Sequence, residues 1–193
     1  REAMRRLATV LPDVKVVLSL RHPVDRAYSQ YWARRSRGFE TRSFAEVIAT
    51  EPEVPLTDDG GLVARGRYLE QIERALNHIG RDQLLVVLFD DLQERPAETY
   101  AQICEFIGAD PTTVPDEVGR PANRYRTFRS ERVRRLALRL PKGVGNAVGH
   151  LNSRAEAYPE LDPSLRAALC DRFRPHNAAL AEWLGRDLSA WDT

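Results

Sequence analysis

No stretch of the sequence approaches the roughly 18 consecutive apolar residues that a membrane-crossing helix requires. Nothing behind the opening Arg1-Glu2-Ala3-Met4-Arg5-Arg6 has the apolar character of a secretion signal. The chain as written is therefore expected to be soluble and cytoplasmic, with no membrane span. Cysteine is scarce: Cys104 and Cys170 are the only two. Each sits among apolar residues at helical spacing, which points to buried free thiols and away from a disulfide or a metal site. Charge of one sign is not in excess. With 29 basic against 28 acidic residues the formal net charge is +1, so no global attraction to nucleic acid is expected and any anion site must be built locally. Lysine is nearly absent, being confined to Lys15 and Lys142, and no Gly-x-x-x-x-Gly-Lys-[Ser/Thr] phosphate loop occurs. That absence, with no metal-holding acid pattern beside the strands, disfavours a small-molecule kinase. His22, His78, His150 and His176 are dispersed and read as surface or packing residues, so no catalytic base is assigned.

What is present has the composition of a globular domain, 42% hydrophobic and 30% charged in 193 residues, enough for one substantial core. An amphipathic helix carrying Met4, Leu7, Ala8 and Leu11 opens the chain, and a start on Arg within it reads as a piece of something longer. Val16-Val17-Leu18-Ser19-Leu20 is a short apolar run of the kind buried on both faces of a parallel sheet. A helix follows over about 23–37, with Pro23 at its favourable first position and Asp25 in its first turn. Ser43-Phe44-Ala45-Glu46 is a capping box. A helix over 68–79 is expected to end at a Gly80 cap, followed by a second buried strand, 84–89, closed by Asp90-Asp91. A helix over 97–107 closed by Gly108 comes next. Strands alternating with helices mean an α/β fold with a parallel sheet. Two strands are too few for a stable open sheet, so a further strand is expected upstream. The second half reads as a loop over 109–127, a basic helix over 130–140 with Val133, Leu136 and Leu140 as its buried stripe, a Gly-rich loop, and two last helices. Asp162-Pro163 opens the first of these, Pro175 separates them, and Gly185 closes the second.

The chemistry-bearing stretch is Arg21-His22-Pro23-Val24-Asp25-Arg26-Ala27-Tyr28-Ser29, at the C-terminal edge of a parallel strand, where open α/β sheets bind ligands. Arg21 offers a planar bidentate fork, the helix N-terminus offers free N–H groups and a positive dipole, and Ser29 adds a hydroxyl two turns in. Together they suit a phosphate dianion. The same corner also fits a purely structural Arg that caps carbonyls or pairs with Asp25.

The pattern Arg-x-Pro-x-x-Arg-x-x-Ser after a buried strand resembles the 3'-phosphate motif of the sulfotransferases that use 3'-phosphoadenosine 5'-phosphosulfate (PAPS). The resemblance runs to the end of the chain and is closest to the heparan-sulfate type and its bacterial relatives. It implies a P-loop-NTPase-like, three-layer α/β fold with a parallel sheet flanked by helices. Residues 1–193 would form the C-terminal portion of a longer domain, without the N-terminal strand and Lys-bearing loop that hold the phosphosulfate. It implies PAPS as co-substrate with no metal, Arg21 and Ser29 on the 3'-phosphate, and Arg26 supporting the turn. Ser153-Arg154-Ala155-Glu156-Ala157-Tyr158-Pro159 resembles the family loop Ser-Lys-Gly-Arg-Lys-Tyr-Pro that closes over the nucleotide, so Arg154 and Tyr158 are assigned there. Ala155, Glu156 and Ala157 depart from it, removing two cations and adding an acid. Lys142-Gly143-Val144-Gly145 faintly resembles the Lys-Gly loop of cytosolic sulfotransferases but reads more readily as a connector.

Tyr31, Arg67 and Tyr68 are placed on the acceptor side, for a small-molecule or glycan acceptor. The arginines from Arg124 to Arg139 fit a solvated helix face equally well. The activity expected is sulfuryl transfer from PAPS to a hydroxyl or amine of a carbohydrate-like acceptor. The alternative is a degenerate or truncated module that binds a phosphoadenosine nucleotide without activity.

Overall fold

The computed structural model describes residues 2–52, 61–119, 126–128, 130–137, 139–151, 153–155 and 158–193. Helix α1 (Glu2–Val10) leads into strand β1 (Val16–Leu20), which passes through a two-residue corner into helix α2 (Pro23–Ser36). Helix α3 (Phe44–Thr50) starts at the expected capping box, with the Ser43 hydroxyl accepting from the Glu46 amide and the Glu46 carboxylate accepting from the Ser43 amide. A 3-10 turn (Ala64–Gly66) precedes α4 (Tyr68–Leu76), strand β2 (Leu84–Leu88), α5 (Phe89–Glu94) and α6 (Pro96–Ile107). The remainder comprises β3 (Arg126–Phe128), α7 (Glu131–Ala137), α8 (Lys142–Leu151), β4 (Ser153–Ala155) and α9 (Pro163–Leu184), and a 3-10 turn (Ser189–Asp192) ends it.

β1 and β2 pair in parallel, in a register that sets Leu20 opposite Leu88, so both strands release their chains at the same edge. Helix α9 spans two packed clusters. Its first half delivers Leu169, Cys170 and Phe173 to a core shared with Val24, Tyr28 and Tyr31 of α2, Phe44 and Val47 of α3, and Leu62 and Val63. Its second half delivers Leu180 to a core of Leu20, Leu84, Leu88, Tyr68, Ile72 and Trp191. Between them the buried Asn177 donates to Asp192 (3.1 Å) and to the Trp191 carbonyl (3.4 Å), tying the final turn to the helix. Both cysteines are buried free thiols.

Several expected boundaries move, each for a local reason. α4 ends at Leu76, and Gly80 is extended (φ −68°) instead of a left-handed cap. Its N–H is taken by the Gln83 side chain, which also donates to the Pro12 and Val14 carbonyls and so lays the start of β2 beside the approach to β1. Asp90 and Asp91 open α5 where a simple turn was expected. Lys142–Gly145 is the first turn of α8 and not a loop. A Cβ on Gly145 would lie 2.4 Å from the Ala137 carbonyl oxygen, so this glycine serves the close approach of α7 and α8. α7 packs on α8, and the stripe expected to be buried is open, Leu136 being 57% exposed and Val133 37%. β3 and β4 pair antiparallel where loops were expected. Pro175, expected to separate two helices, lies inside the single helix α9. A proline there costs one backbone hydrogen bond, and the buried Phe173 and Asn177 on either side hold the helix through it. Gly108 (φ 77°) and Gly185 (φ 65°) are the left-handed caps their positions suggested.

The C-terminal segment is clamped onto α5 by charge. Arg186 donates to both oxygens of Asp91 (2.5 and 3.1 Å), Arg95 donates to it as well (2.6 Å), and the Trp191 indole donates to Asp90 (3.3 Å). The Arg186 hydrogen bonds are the main cause that draws the Asp91 carboxyl down to about 2. A carboxyl lowered in the folded state adds stability that is present above the ordinary value near 3.9 and lost as pH falls toward the folded one. The stability gap between the wild type and Arg186→Ala, read from thermal unfolding, is therefore expected to narrow as pH drops from about 4 to about 2. A gap that does not change with pH would mean the clamp contributes packing alone.

Candidate functional site

The register that sets Leu20 opposite Leu88 also sets the next residues side by side, and the Arg21 guanidinium lies over the Phe89 ring, 5.2 Å from its centroid. The Arg21 carbonyl is fixed by the Tyr68 hydroxyl (2.7 Å). Burial pushes the Tyr68 phenol up to about 12 against the opposing influence of Arg26 and Arg21, so it stays protonated and keeps donating. The next residue, His22, caps α2: its Nδ1 accepts from the Val24 amide (3.2 Å), and its carbonyl accepts the first helical bond from Arg26. Pro23 occupies the first helical position, where a missing N–H costs nothing.

The Arg21 side chain is not paired with Asp25, because Asp25 holds Arg166 of α9 (2.7 Å). Beyond its contact with Phe89, the Arg21 guanidinium makes no hydrogen bond or ion pair with any described residue. Ser29, half-buried and one turn beyond Asp25 on the same face of α2, has a hydroxyl that likewise makes no hydrogen bond with a described residue. Among the described residues, therefore, nothing takes up the Arg21 guanidinium or the Ser29 hydroxyl.

Arg26 is committed elsewhere. It donates to Gln30 (2.6 Å) and to the Leu62 carbonyl, and burial lowers its guanidinium pKa. Its role is to anchor α2 to the turn before α4. The neighbouring amides of Leu62, Val63 and Ala64 all donate to the Glu51 carboxylate (2.6, 2.8 and 3.0 Å), so the anchor point is itself held rigid.

Tyr158 lies on the far side of α2 from this anchor, parallel to Trp32 (6.3 Å between centroids) and edge-on to Tyr28 (5.4 Å). The Tyr28 hydroxyl donates to the Pro159 carbonyl (2.9 Å), which pins the segment before α9 to α2. The Arg154 backbone lies in β4 opposite Thr127, and its side chain lies outside the described residues.

Two acceptor-side expectations are corrected. Tyr31 is 4% exposed and its hydroxyl donates to the Arg42 carbonyl, so it belongs to the core and offers no face to an acceptor. Tyr68, 7% exposed, is committed to Arg21 as described and works behind the site. Arg67 is half-buried at the start of α4. His22 as a cap and Tyr68 as a brace escaped the sequence. The signal for the first was its place directly before a proline at a helix start.

Comparison with known proteins gives a consistent set. The family model described as Sulfotransferase family matches residues 2–113. The bifunctional heparan sulfate N-deacetylase/N-sulfotransferase 1 of Xenopus tropicalis is 29% identical over 198 residues, covering 98% of this chain and 21% of that protein. The human N-deacetylase/N-sulfotransferase 2 is 30% identical over 189 residues, covering 94% of this chain and 20% of that protein. The chain thus spans about a fifth of the length of these curated relatives. A sulfotransferase crystal structure from Alicyclobacillus acidocaldarius superposes with a TM-score of 0.67 at 29% identity, covering 98% of this chain and 62% of that one.

Proposed function

The chain belongs to the sulfotransferase family, and from that premise we propose that its β1–α2 corner binds the 3'-phosphate of a phosphoadenosine nucleotide and serves sulfuryl transfer from PAPS to a hydroxyl or amine of a carbohydrate-like acceptor. One observation carries the reading: Arg21, where the C-terminal edge of the sheet meets a helix start, and Ser29, two turns into that helix, hold donors that no described residue takes up. Tyr68 fixes the Arg21 peptide, Arg26 anchors the helix, and Asp25 is neutralised by Arg166, so no free carboxylate one turn from Arg21 repels a phosphate.

Tyr158, stacked on Trp32, would close the nucleotide side. PAPS, when bound, supplies an activated sulfuryl group. Transfer would then form a bond from sulfur to the acceptor oxygen or nitrogen as the bond from sulfur to the 5'-phosphate oxygen breaks, leaving 3'-phosphoadenosine 5'-phosphate and releasing the acceptor's proton to solvent. The carbohydrate character of the acceptor rests on the heparan sulfate relatives.

The test is a calorimetric comparison of two nucleotides that differ only at the 3' position. 3'-Phosphoadenosine 5'-phosphate is expected to bind at least about tenfold more tightly than adenosine 5'-phosphate, since one charge-assisted hydrogen bond contributes about 1.5–3 kcal/mol. Ser29→Ala should remove part of that preference. Equal affinities would sink the assignment. A preference for the 3'-phosphate without sulfate transfer would instead favour a nucleotide-binding module.

A further inference from the structure

We infer that His22 is a positioning residue of the phosphate corner: as a neutral imidazole protonated on Nε2, it closes the N-terminus of α2 through Nδ1 and so holds Arg21 toward the ligand edge. The inference rests on the nucleotide reading above and adds a residue to it. His22 lies between Arg21, whose donors no described residue takes up, and Pro23, where the helix begins, and it is 7% exposed. Its Nδ1 must carry a lone pair to accept from the Val24 amide, which assigns the ring proton to Nε2. Nε2 is buried and turned toward the Thr193 backbone without reaching hydrogen-bond geometry, and the ring lies 6.3 Å from that of Trp191. Protonating Nδ1 would set two N–H groups against each other at 3.2 Å and abolish the cap.

The groups that face the imidazole are Asp25 on its own helix, Arg166 from α9, Asp90 from α5 and the Thr193 backbone. The two carboxylates favour the cation and Arg166 opposes it. Burial outweighs them all and lowers the pKa below the ordinary imidazole value. The sign follows. A histidine lowered on folding leaves the unfolded chain binding more protons, so its contribution to stability is full above about 6.5 and declines as pH falls from there toward the folded value. The phosphate corner is thus built to work with an uncharged cap and weakens in acid.

The experiment is calorimetry of 3'-phosphoadenosine 5'-phosphate with the wild type, His22→Ala and His22→Asn, from about pH 8 to about pH 5.5. At the upper pH, His22→Ala is expected to bind about 2- to 30-fold more weakly, the range that loss of a helix cap spans. Asn, a strong cap that does not titrate, should recover most of that loss. On acidification the nucleotide's own phosphates weaken binding in all three proteins alike. The wild type should lose an additional increment that His22→Asn does not. Wild-type binding by His22→Ala at the upper pH, or identical pH slopes for the wild type and His22→Asn, would overturn the inference. Nitrogen NMR of the His22 imidazole without nucleotide gives an independent readout. It should show Nε2 protonated and Nδ1 bare, with the Val24 amide shift moving as the ring titrates; the other tautomer, or a static Val24 signal, would refute the cap. If no nucleotide binds any of the proteins at the upper pH, the proposed function fails, and the NMR still decides the role of His22.

Discussion

Arg21→Ala is expected to weaken binding of 3'-phosphoadenosine 5'-phosphate by about ten- to a hundredfold while moving the unfolding midpoint little. Removing a charged donor from a phosphate costs about 1.5–3 kcal/mol, and each 1.4 kcal/mol is a factor of ten in affinity. The small structural effect follows from how little else the side chain does: its recorded contact is the Phe89 ring, worth about 0.5–1 kcal/mol at a partly open site. The backbone bond from Tyr68 survives the substitution, because the carbonyl is not the part removed. Arg21→Lys should fall between the two, keeping the charge and losing the planar fork. Arg26→Ala is the informative contrast. Arg26 is spent on Gln30 and Leu62, so its loss should appear first in stability and only through that in binding. Calorimetry paired with chemical denaturation separates the two outcomes. Unchanged affinity in Arg21→Ala would remove the phosphate from this corner.

The largest loss of stability is expected from Phe173→Ala. The ring is fully buried and sits where three elements meet: a Cβ on Gly66 would come within 2.6 Å of it and within 3.1 Å of Pro23. α9, the turn before α4 and the first residue of α2 therefore close on one another around it. Truncating a buried Phe removes about 3–5 kcal/mol, part transfer and part cavity, out of a total of about 5–15 kcal/mol for a domain. The converse substitution, Gly66→Ala, pushes a methyl into the same ring and should cost about 1–3 kcal/mol by overpacking. Urea denaturation of both proteins tests the pair. A cost below about 1 kcal/mol for Phe173→Ala would mean the contact is looser than the geometry shows.

These two residues mark what the sequence could and could not reveal. The corner that carries Arg21 was legible because strand and helix are encoded locally: an apolar β-branched run, then Pro23 at a helix start and Asp25 in its first turn. The Ser43–Glu46 box and the Gly108 and Gly185 caps were legible for the same reason. The role of Phe173 was not, because it depends on Gly66 and Pro23, far away along the chain. Pro175 misled because its local cost is real but outweighed by buried neighbours on both sides. Gly143 and Gly145 misled because glycine signals flexibility locally, whereas Gly145 is needed for contact with the Ala137 carbonyl. The burial of Tyr31 and Tyr68 was not legible, since hydroxyl partners on distant carbonyls cannot be read from spacing.

The ties between α2 and the segment around α9 have a consequence for how the protein acquires its site. Asp25 and Arg166 are 141 residues apart in sequence, and Tyr28 and Pro159 are 131 apart. A chain leaving the ribosome N-terminus first produces α2 well before the segment from Pro159 to Arg166 that braces it. Contacts this distant are closed late, after the entropy of a long loop has been overcome. In a refolding experiment the nucleotide-binding signal should therefore appear with the slowest phase, after the helical signal has recovered.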